Sequence, residues 1–299
     1  PILMGATLRL INFLTGVPFI LHCQDIYPEA LSVIGSLNKN SYRFKFLARL
    51  DARSCKCAYR VVVLTQDMQK TLERIEAKYI TQNVSVINNF ALARYDSNVP
   101  PTPLFREKNK GVYRILFAGN LGRFQNLGLL VNAMQLLHSF EDIHLIFMGA
   151  GSEKDSLVDR AKNLNGKTIF FEKHQSVEVA FANMKMSHLG VVSLAPNMEK
   201  VAFPSKVMTY LDAGLPILGL VNSSCELTKT LENENLGWVP STCSQEDIAE
   251  TIIRAYRQRN EETWSNRQRI KEQAASIYGE EKALKLWHGL LSSMQEKNT

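Results

Sequence analysis

The sequence predicts an α/β protein of two domains, the second of which is built on a doubly wound parallel sheet. Short apolar runs rich in β-branched residues alternate with helical patterns along most of the chain. Strands that are separated by single helices imply parallel pairing with right-handed crossovers. The length of 299 residues also exceeds the usual size of one domain, so we expect a domain boundary within the chain.

Three short apolar runs predict the strands of the first domain. They cover residues 19–23, 60–64 and 84–87. One helical pattern begins near Pro28, which suits a first helical turn, and two others cover residues 42–59 and 66–78. Between residues 88 and 110 the apolar residues become sparse and prolines accumulate, which indicates a linker.

The second domain shows the cleanest alternation of strand and helix patterns. The predicted strands cover residues 113–118, 144–148, 168–171, 189–194, 217–221 and 236–239. The predicted helices cover residues 126–139, 153–163, 176–186, 206–213 and 226–233, and a last helix covers residues 280–294. In sheets of this kind, ligands bind at the carboxyl ends of the strands, near the point where the strand order reverses.

The helix at residues 206–213 carries the central interpretation. Pro204 and Ser205 end an extended segment and are expected to cap this helix, which Gly214 closes. Lys206 then lies in the first helical turn, where an ammonium opposes the helix dipole and where free N–H groups favour an anion. This position suits contact with a phosphate group, and a solvated lysine is the alternative.

Two further loops are expected on the same edge of the sheet, after the first and second strands of this domain. They offer four glycines and one arginine: Gly119, Gly122, Gly149, Gly151 and Arg123. Glycines let the backbone approach a ligand closely, and an arginine can grip a phosphate with two N–H groups. Three loops on one edge that supply glycine, arginine and lysine favour a nucleotide diphosphate as the ligand.

Composition argues against several other classes of protein. No apolar run reaches the roughly 20 residues that a membrane-spanning helix needs. The net charge of +6 comes without a Lys/Arg tract or a recognisable nucleic-acid motif, so nucleic acid is not an expected partner. The five cysteines have no metal-ligand spacing and indicate reduced thiols in a cytosolic protein. No metal and no cofactor is expected.

The order of these motifs resembles the nucleotide-sugar lobe of glycosyltransferase family 4, which has the GT-B architecture of two Rossmann-like domains. The motifs that carry this resemblance are Gly119-Asn120-Leu121-Gly122, Gly149-Ala150-Gly151, Pro204-Ser205-Lys206 and Tyr210-Leu211-Asp212-Ala213-Gly214-Leu215-Pro216. The stretch Gln24-Asp25-Ile26-Tyr27-Pro28-Glu29 resembles the D-[LI]-[WY]-P-E motif in the first lobe of bacterial members that build surface polysaccharides.

The resemblance implies three parts of the chain. Residues 1–103 would form an acceptor-side domain, residues 104–278 the nucleotide-sugar-binding domain, and residues 279–299 a C-terminal helix that crosses back to the first domain. Residues 1–90 predict three strands against six in the second domain. We therefore expect the first domain to be incomplete, without its N-terminal βαβ units.

The resemblance also implies which residues contact the donor. These are Gly119, Asn120, Gly122, Arg123, Gln125, Gly149, Gly151, Glu199, Pro204, Ser205, Lys206 and Thr209. Many members have an arginine and a lysine in the first loop, at the positions of Asn120 and Gln125. Many also carry two glutamates spaced E-x7-E, of which the second falls at Thr209 and the first at Val201, with Glu199 as a substitute for the first.

By this resemblance, the intact enzyme transfers a sugar from a UDP- or GDP-sugar to a lipid-linked saccharide acceptor, with retention of configuration. The product would belong to an O-antigen, a capsule or an exopolysaccharide. Asp25 is the candidate catalytic residue of the first lobe. Two alternatives stay open, a nucleotide-sugar epimerase of the same architecture and a non-catalytic nucleotide-sugar-binding fragment.

The predicted location is the cytoplasm, with one feature that points to a membrane. The helix at residues 42–59 carries basic residues around an apolar face: Arg43, Lys45, Arg49 and Arg53. This pattern fits either a solvated surface or a peripheral contact with the cytoplasmic face of the inner membrane.

Overall fold

A computed structural model of the chain describes residues 2–76, 83–91, 99–106 and 111–296. The chain divides into two compact units. Unit 1 comprises Pro1–Phe90, Pro196–Phe203 and Tyr278–Thr299, and unit 2 comprises Ala91–Ala195 and Pro204–Ile277. Residues 92–98 and 107–110 of the predicted linker, and residues 77 and 78 of the predicted third helix, lie outside the described residues.

Secondary structure alternates along the chain. The helices are α1 Ile2–Thr15, α2 Glu29–Val33, α3 Tyr42–Cys57, α4 Gln66–Glu76, α5 Pro103–Arg106, α6 Leu127–Leu136, α7 Lys154–Arg160, α8 Val177–Met186, α9 Lys206–Asp212, α10 Glu226–Asn233, α11 Gln245–Gln258, α12 Glu262–Ser265, α13 Arg267–Tyr278 and α14 Glu280–Glu296. The strands are β1 Ile20–His22, β2 Arg60–Val63, β3 Val84–Val86, β4 Tyr113–Ala118, β5 Ile143–Met148, β6 Ile169–Glu172, β7 Leu189–Ser193, β8 Ile217–Leu220 and β9 Gly237–Trp238.

Unit 1 contains a parallel sheet in the order β1-β2-β3, with Leu21 opposite Val61 in the register. Successive side chains of β2 point to opposite faces of this sheet. Val61 packs in the cluster that includes residues of α4, whereas Val62 packs with Ala283 and Leu290 of α14. The sheet of unit 1 is therefore covered on both faces, as parallel sheets require.

Unit 2 contains six parallel strands in the order β6-β5-β4-β7-β8-β9. This is the order of a doubly wound fold, and the direction of winding reverses between β4 and β7. Most side chains of β4, β5, β7 and β8 are buried, and apolar residues of α6, α7 and α11 belong to the same core cluster. The predicted α/β fold class with parallel sheets is confirmed.

Two segments group differently from the predicted domain boundaries. Residues 196–203 were expected in the second domain, but the Ile26 N–H donates to the Val201 carbonyl at 2.8 Å, which ties this segment to unit 1. Thr102 was expected in the first domain, but its N–H donates to Asn183 Oδ1 at 3.1 Å within unit 2. Both differences involve contacts between residues far apart in the sequence.

Helices α1, α5, α11, α12 and α13 are not among the predicted elements. Helix α1 lies against α3, and the approach is close because Gly5 has no side chain: a Cβ there would lie 2.9 Å from Ser54 Cβ. Among the described residues, none of the helices combines the length and the apolar character that crossing a membrane requires.

Candidate functional site

The loops that follow β4 and β5 are joined backbone to backbone at the carboxyl edge of the unit 2 sheet. The Gly119 N–H donates to the Met148 carbonyl at 2.9 Å, and the Leu121 N–H donates to the Ala150 carbonyl at 2.8 Å. The Glu153 N–H then donates to the Leu121 carbonyl at 2.9 Å. These hydrogen bonds hold the two loops together, and we call residues 119–122 and 149–153 the floor of the site. The floor lies beside β4 and β7, between which the strand order reverses.

Two glycines allow this contact between the loops. A Cβ on Gly149 would lie 1.9 Å from the Gly119 carbonyl oxygen, and a Cβ on Gly151 would lie 2.3 Å from the Leu121 carbonyl oxygen. Both glycines also have positive φ angles, +154° and +159°, which L side chains rarely adopt. The requirement for glycine thus comes from the packing of one loop on the other. This reason differs from the predicted one, in which the glycines leave room for a ligand.

Gly119 and Lys206 meet at this floor. Gly119 has a φ of +131°, and a Cβ there would lie 3.4 Å from Lys206 Nζ. The Lys206 ammonium lies 3.7 Å from the centre of the Phe117 ring, which belongs to β4. Lys206 therefore reaches from the start of α9 to the end of the central strand, as the predicted grouping of loops requires.

The Lys206 ammonium is buried without a polar partner. Nζ is shielded from solvent and has no hydrogen-bond partner among the described residues, although the side chain as a whole is partly exposed. The face of the Phe117 ring attracts the cation. Burial nevertheless lowers the pKa of Lys206 to about 7. A buried cation with unused N–H donors is costly to fold and is suited to receive an anion.

The predicted serine cap of α9 is wrong. Ser205 has a helical backbone (φ −55°, ψ −25°), and its side chain accepts no capping hydrogen bond. A capping serine needs an extended backbone to reach the N–H groups ahead of it. Here the Val207 N–H donates to the Pro204 carbonyl at 3.1 Å, so the turn has already begun at Pro204. The expected end of the helix is confirmed, since Gly214 has a φ of +66°.

Two residues that the sequence interpretation missed hold the site together. Tyr210 is fully buried and accepts a hydrogen bond from the Ala118 N–H at 2.8 Å, which fastens α9 to the last residue of β4. Ser193, at the end of β7, donates from Oγ to the Gln125 carbonyl. The spacing of four residues between Lys206 and Tyr210 could have suggested that both lie on one side of α9.

Replacing Tyr210 by phenylalanine should therefore destabilise the protein while keeping its volume. The Ala118 N–H would be left buried and unpaired, at a cost of about 1–3 kcal/mol in the free energy of unfolding. Urea denaturation measures this loss. The control is Tyr256→Phe, which removes a hydrogen bond to Asp142 at a partly exposed position and should cost less. Equal effects of the two changes would contradict the role given to Tyr210.

The remaining loop residues are placed as follows. Arg123 is 77% exposed in its side chain and forms an ion pair with Glu153 at 3.5 Å. Gln125 has a buried Oε1 atom without a hydrogen-bond partner among the described residues. Asn120 lies beside Gly122, where a Cβ would be 2.9 Å from Asn120 Nδ2. Thr209 lies on α9 within one turn of Lys206 and is half-buried.

Two predicted site residues belong to unit 1. Asp25 follows β1, is exposed, and forms an isolated antiparallel bridge with Ala202. Its carboxyl group is nevertheless partly shielded from water, which raises the pKa of Asp25, and a hydrogen bond with the Tyr27 side chain opposes the shift. Glu199 is buried, and its Oε1 atom has no hydrogen-bond partner among the described residues.

Asp25 also lines a cavity of about 190 Å³ within unit 1, together with Cys23 and Asp51. Burial, followed by the charge of Glu29, raises the pKa of Asp51 to about 7. Burial and the charge of Asp51 raise the pKa of the Cys23 thiol to about 12. This cavity therefore holds a second group of titratable side chains, away from the loops of unit 2 in sequence.

Comparison with known proteins identifies the family. Residues 104–276, more than half of the chain, match the family described as Glycosyl transferases group 1. The chain belongs to the group 1 glycosyltransferases. The matched segment contains the loops after β4 and β5 together with α9, so the floor around Gly119 and Lys206 lies in the group 1 domain.

Individual relatives agree with this assignment. This group 1 chain is 27% identical over 244 residues to a probable glycosyltransferase, WbjE, from Pseudomonas aeruginosa. The match covers 80% of the chain but only 60% of that relative. The chain therefore spans about 60% of the length of the curated relative.

Solved structures show the same fold. HepE of Anabaena in complex with UDP has a TM-score of 0.73 at 15% identity, with 98% of this chain and 77% of that chain covered. Sucrose-phosphate synthase from Thermosynechococcus elongatus has a TM-score of 0.73 at 14% identity, with 100% and 73% covered. At these identities the likeness shows the fold alone, and the shared fold agrees with the predicted GT-B class.

Proposed function

We propose that the intact protein transfers a sugar from a nucleotide diphosphate donor, a UDP- or GDP-sugar, to a lipid-linked saccharide. We further propose that it belongs to family 4, that it retains the configuration of the sugar, and that it serves polysaccharide biosynthesis. The observation that carries the donor proposal is the buried, unpaired ammonium of Lys206 beside Gly119, at the strand edge of a group 1 glycosyltransferase domain.

The chemistry follows from where negative charge develops. When the bond between the sugar and the diphosphate breaks, the departing phosphate oxygen gains charge. A fixed cation in a site that excludes water stabilises that charge, and such a contribution is often worth several kcal/mol (about 3–4). Lys206 is already positioned by α9 and by the Phe117 ring, so little reorganisation is needed. Arg123, which is exposed, would exchange its ion pair with Glu153 for the diphosphate.

Donor binding should depend on pH in the direction set by Lys206. Its pKa of about 7 leaves the amine largely neutral at pH 8 in the free protein, whereas a diphosphate binds the charged form. Binding at pH 8 should therefore take up a proton, and the affinity for UDP should fall up to about tenfold per pH unit between pH 7.5 and 9. Calorimetry in buffers of different ionisation enthalpy measures both effects.

Lys206→Arg is the control for this pH dependence, because a guanidinium stays charged throughout the range. The variant should bind UDP with an affinity that does not change between pH 7.5 and 9. A wild-type affinity that is equally flat, with no proton uptake, would show that Lys206 does not titrate on binding.

The reaction itself is tested with labelled UDP- and GDP-sugars and a lipid extract as the acceptor source. Release of nucleotide with transfer of label to lipid supports the proposal. Conversion of the donor sugar to an isomer in the absence of an acceptor would indicate an epimerase instead. Donor binding without consumption, whatever extract is supplied, would indicate a non-catalytic nucleotide-sugar-binding protein.

We also propose that α1 and α3 contact an anionic membrane surface. In the part of the chain that the structure describes, large apolar side chains on α1 are exposed: Leu3 74%, Met4 59%, Leu10 57%, Phe13 84% and Leu14 70%. The neighbouring helix α3 presents exposed basic side chains: Arg43, Lys45, Arg49, Arg53 and Lys56. Apolar groups that enter the interface next to cations that pair with lipid phosphates are the usual composition of a peripheral membrane contact.

Vesicle sedimentation tests the membrane proposal. The protein should bind vesicles that contain phosphatidylglycerol, and Leu10→Ser with Leu14→Ser should remove most of this binding. The control is Leu284→Ser with Leu291→Ser, two leucines of similar exposure on α14. Unchanged vesicle binding in the α1 variant would contradict the proposal. Concentration-dependent self-association that the same variant abolishes would assign the face to a second copy of the chain.

A further inference from the structure

A cavity of about 270 Å³ lies in unit 2 at the edge where its strands begin. Tyr113 is the first residue of β4, His188 directly precedes β7, and Pro216 directly precedes β8, and all three line the cavity. Lys206 and Gly119 are at the opposite, carboxyl edge. Six residues of β4 separate the two edges by about 17 Å, so this cavity is distinct from the proposed donor site.

The cavity is positively charged. Arg259 and Arg267 both line it, and neither has a carboxylate within 4.0 Å in the part of the chain that the structure describes. Asp142 accepts the hydrogen bond of the Tyr256 hydroxyl, whose ring lies under the Arg259 guanidinium. Two guanidinium groups without acidic partners produce a local excess of positive charge, which attracts anions.

Both arginines keep N–H donors for a ligand. Arg267 donates to the carbonyls of Ser187 and Ala213, which end α8 and α9. Arg259 donates from Nη1 to the Tyr256 carbonyl at 2.7 Å and stacks 4.0 Å over the Tyr256 ring. A guanidinium carries five N–H groups, so at least three remain on each arginine. A guanidinium can bind a phosphate with two parallel N–H groups.

His188 supplies one more donor and reports the surrounding charge. The Arg114 backbone N–H donates to His188 Nδ1 at 2.9 Å, so the neutral ring carries its hydrogen on Nε2. The Tyr113 ring stacks on this imidazole at 5.2 Å. Burial, together with the charges of Arg114, Arg267 and Arg259, lowers the pKa of His188 to about 4. The imidazole therefore stays neutral at physiological pH, and its Nε2–H has no acceptor among the described residues.

Two tryptophans form an aromatic wall. The rings of Trp238 and Trp264 have centroids 3.7 Å apart, and both residues line the cavity. The Trp238 Nε1–H is already used by Gln258 Oε1 at 3.0 Å, so the wall offers ring surface and no free donor from Trp238. A ring face beside cationic groups suits a compact organic molecule that carries an anionic group at one end.

We propose that this cavity binds a small organic phosphate, with the phosphate on Arg259, Arg267 and His188 and the body of the ligand against Trp264. The volume suits a molecule of the size of a sugar phosphate and excludes a whole nucleotide sugar. The proposal is independent of the donor site, because no residue is shared between the two.

Tryptophan fluorescence tests the proposal on the whole chain, since two of its three tryptophans line the cavity. Ribose 5-phosphate and inorganic phosphate are titrated at constant ionic strength against chloride, with ribose as the uncharged control. We expect a saturable change with ribose 5-phosphate at an affinity of about 1 mM, weaker binding of phosphate and no response to ribose.

Variants assign the signal to this cavity. Arg259→Gln should weaken the binding of ribose 5-phosphate at least tenfold. Arg257→Gln, which changes an exposed arginine in the last turn of α11, two residues before Arg259, should leave this binding unchanged. Lys206→Ala should also leave it unchanged, because Lys206 lies at the other edge of the sheet. No saturable response in the wild type, equal effects of Arg259→Gln and Arg257→Gln, or loss of the response in Lys206→Ala would each overturn the proposal.

Discussion

Replacing Lys206 by alanine is expected to weaken the binding of UDP or GDP at least about 100-fold. The ammonium is buried beside Gly119, lies 3.7 Å from the Phe117 ring, and has no polar partner among the described residues, so a bound diphosphate would be its only strong partner there. Calorimetry at pH 7 measures the affinity of both proteins. The control is Lys229→Ala, which removes an exposed lysine from α10.

A change at Lys206 that weakens nucleotide binding should not weaken the folded protein. An ammonium without a polar partner costs free energy when it is buried, so Lys206→Met should keep or raise the free energy of unfolding while nucleotide binding is lost. Urea denaturation of the two proteins compares their stabilities. If Lys206→Met instead lowers stability as much as it lowers affinity, the lysine is a structural residue and the binding loss is indirect.

Replacing Gly149 by alanine is expected to have the largest effect on stability. The new Cβ would lie 1.9 Å from the Gly119 carbonyl oxygen, and the residue would keep a φ that L side chains rarely adopt. The loops after β4 and β5 must then separate, at a cost of at least about 2 kcal/mol in the free energy of unfolding. Chemical denaturation measures this loss.

Gly166→Ala separates the two causes. Gly166 also has a positive φ, +78°, but nothing lies within 4 Å of a Cβ there. The Gly166→Ala variant should therefore lose only the free energy of the backbone strain, about 1–2 kcal/mol. Equal losses in the free energy of unfolding for the two variants would mean that the clash with Gly119 is relieved without cost. The two loops would then not be held tightly against each other.

Much of the fold could be predicted because the pattern is local. In unit 2 each predicted strand overlaps an observed one, since β-branched runs bounded by helical patterns specify buried parallel strands. The position of Lys206 at the start of α9 could also be predicted from the sequence, because Pro204 and Gly214 mark the two ends of that helix.

The features that could not be predicted depend on contacts between distant residues. Nothing near Lys206 in the sequence indicates that Phe117 lies beneath its ammonium, and nothing near Gly149 indicates that Gly119 occupies the space of its missing side chain. The grouping of residues 196–203 with unit 1 similarly involves distant contacts, the hydrogen bond between Ile26 and Val201 and the packing of Val201 in the core of that unit. Such contacts join residues tens to hundreds of positions apart, which local propensity does not encode.

The cavity at the amino edge of unit 2 was missed for the same reason. Arg259 and His188 lie between elements and Arg267 begins α13, and none of the three belongs to a motif. Only the fold brings them together, because β4, β7 and β8 all begin at that edge. The pattern of a sequence can thus locate the carboxyl edge of a doubly wound sheet, where motifs concentrate, far better than it can locate a site at the other edge.

A crystal structure of the chain with UDP or GDP tests the central claim most directly. We predict that an oxygen of the diphosphate lies within about 3 Å of Lys206 Nζ, next to the Gly119 backbone. A well-ordered nucleotide bound elsewhere, with the Lys206 ammonium still resting on Phe117 and no phosphate beside it, would contradict the assignment of this floor as the donor site.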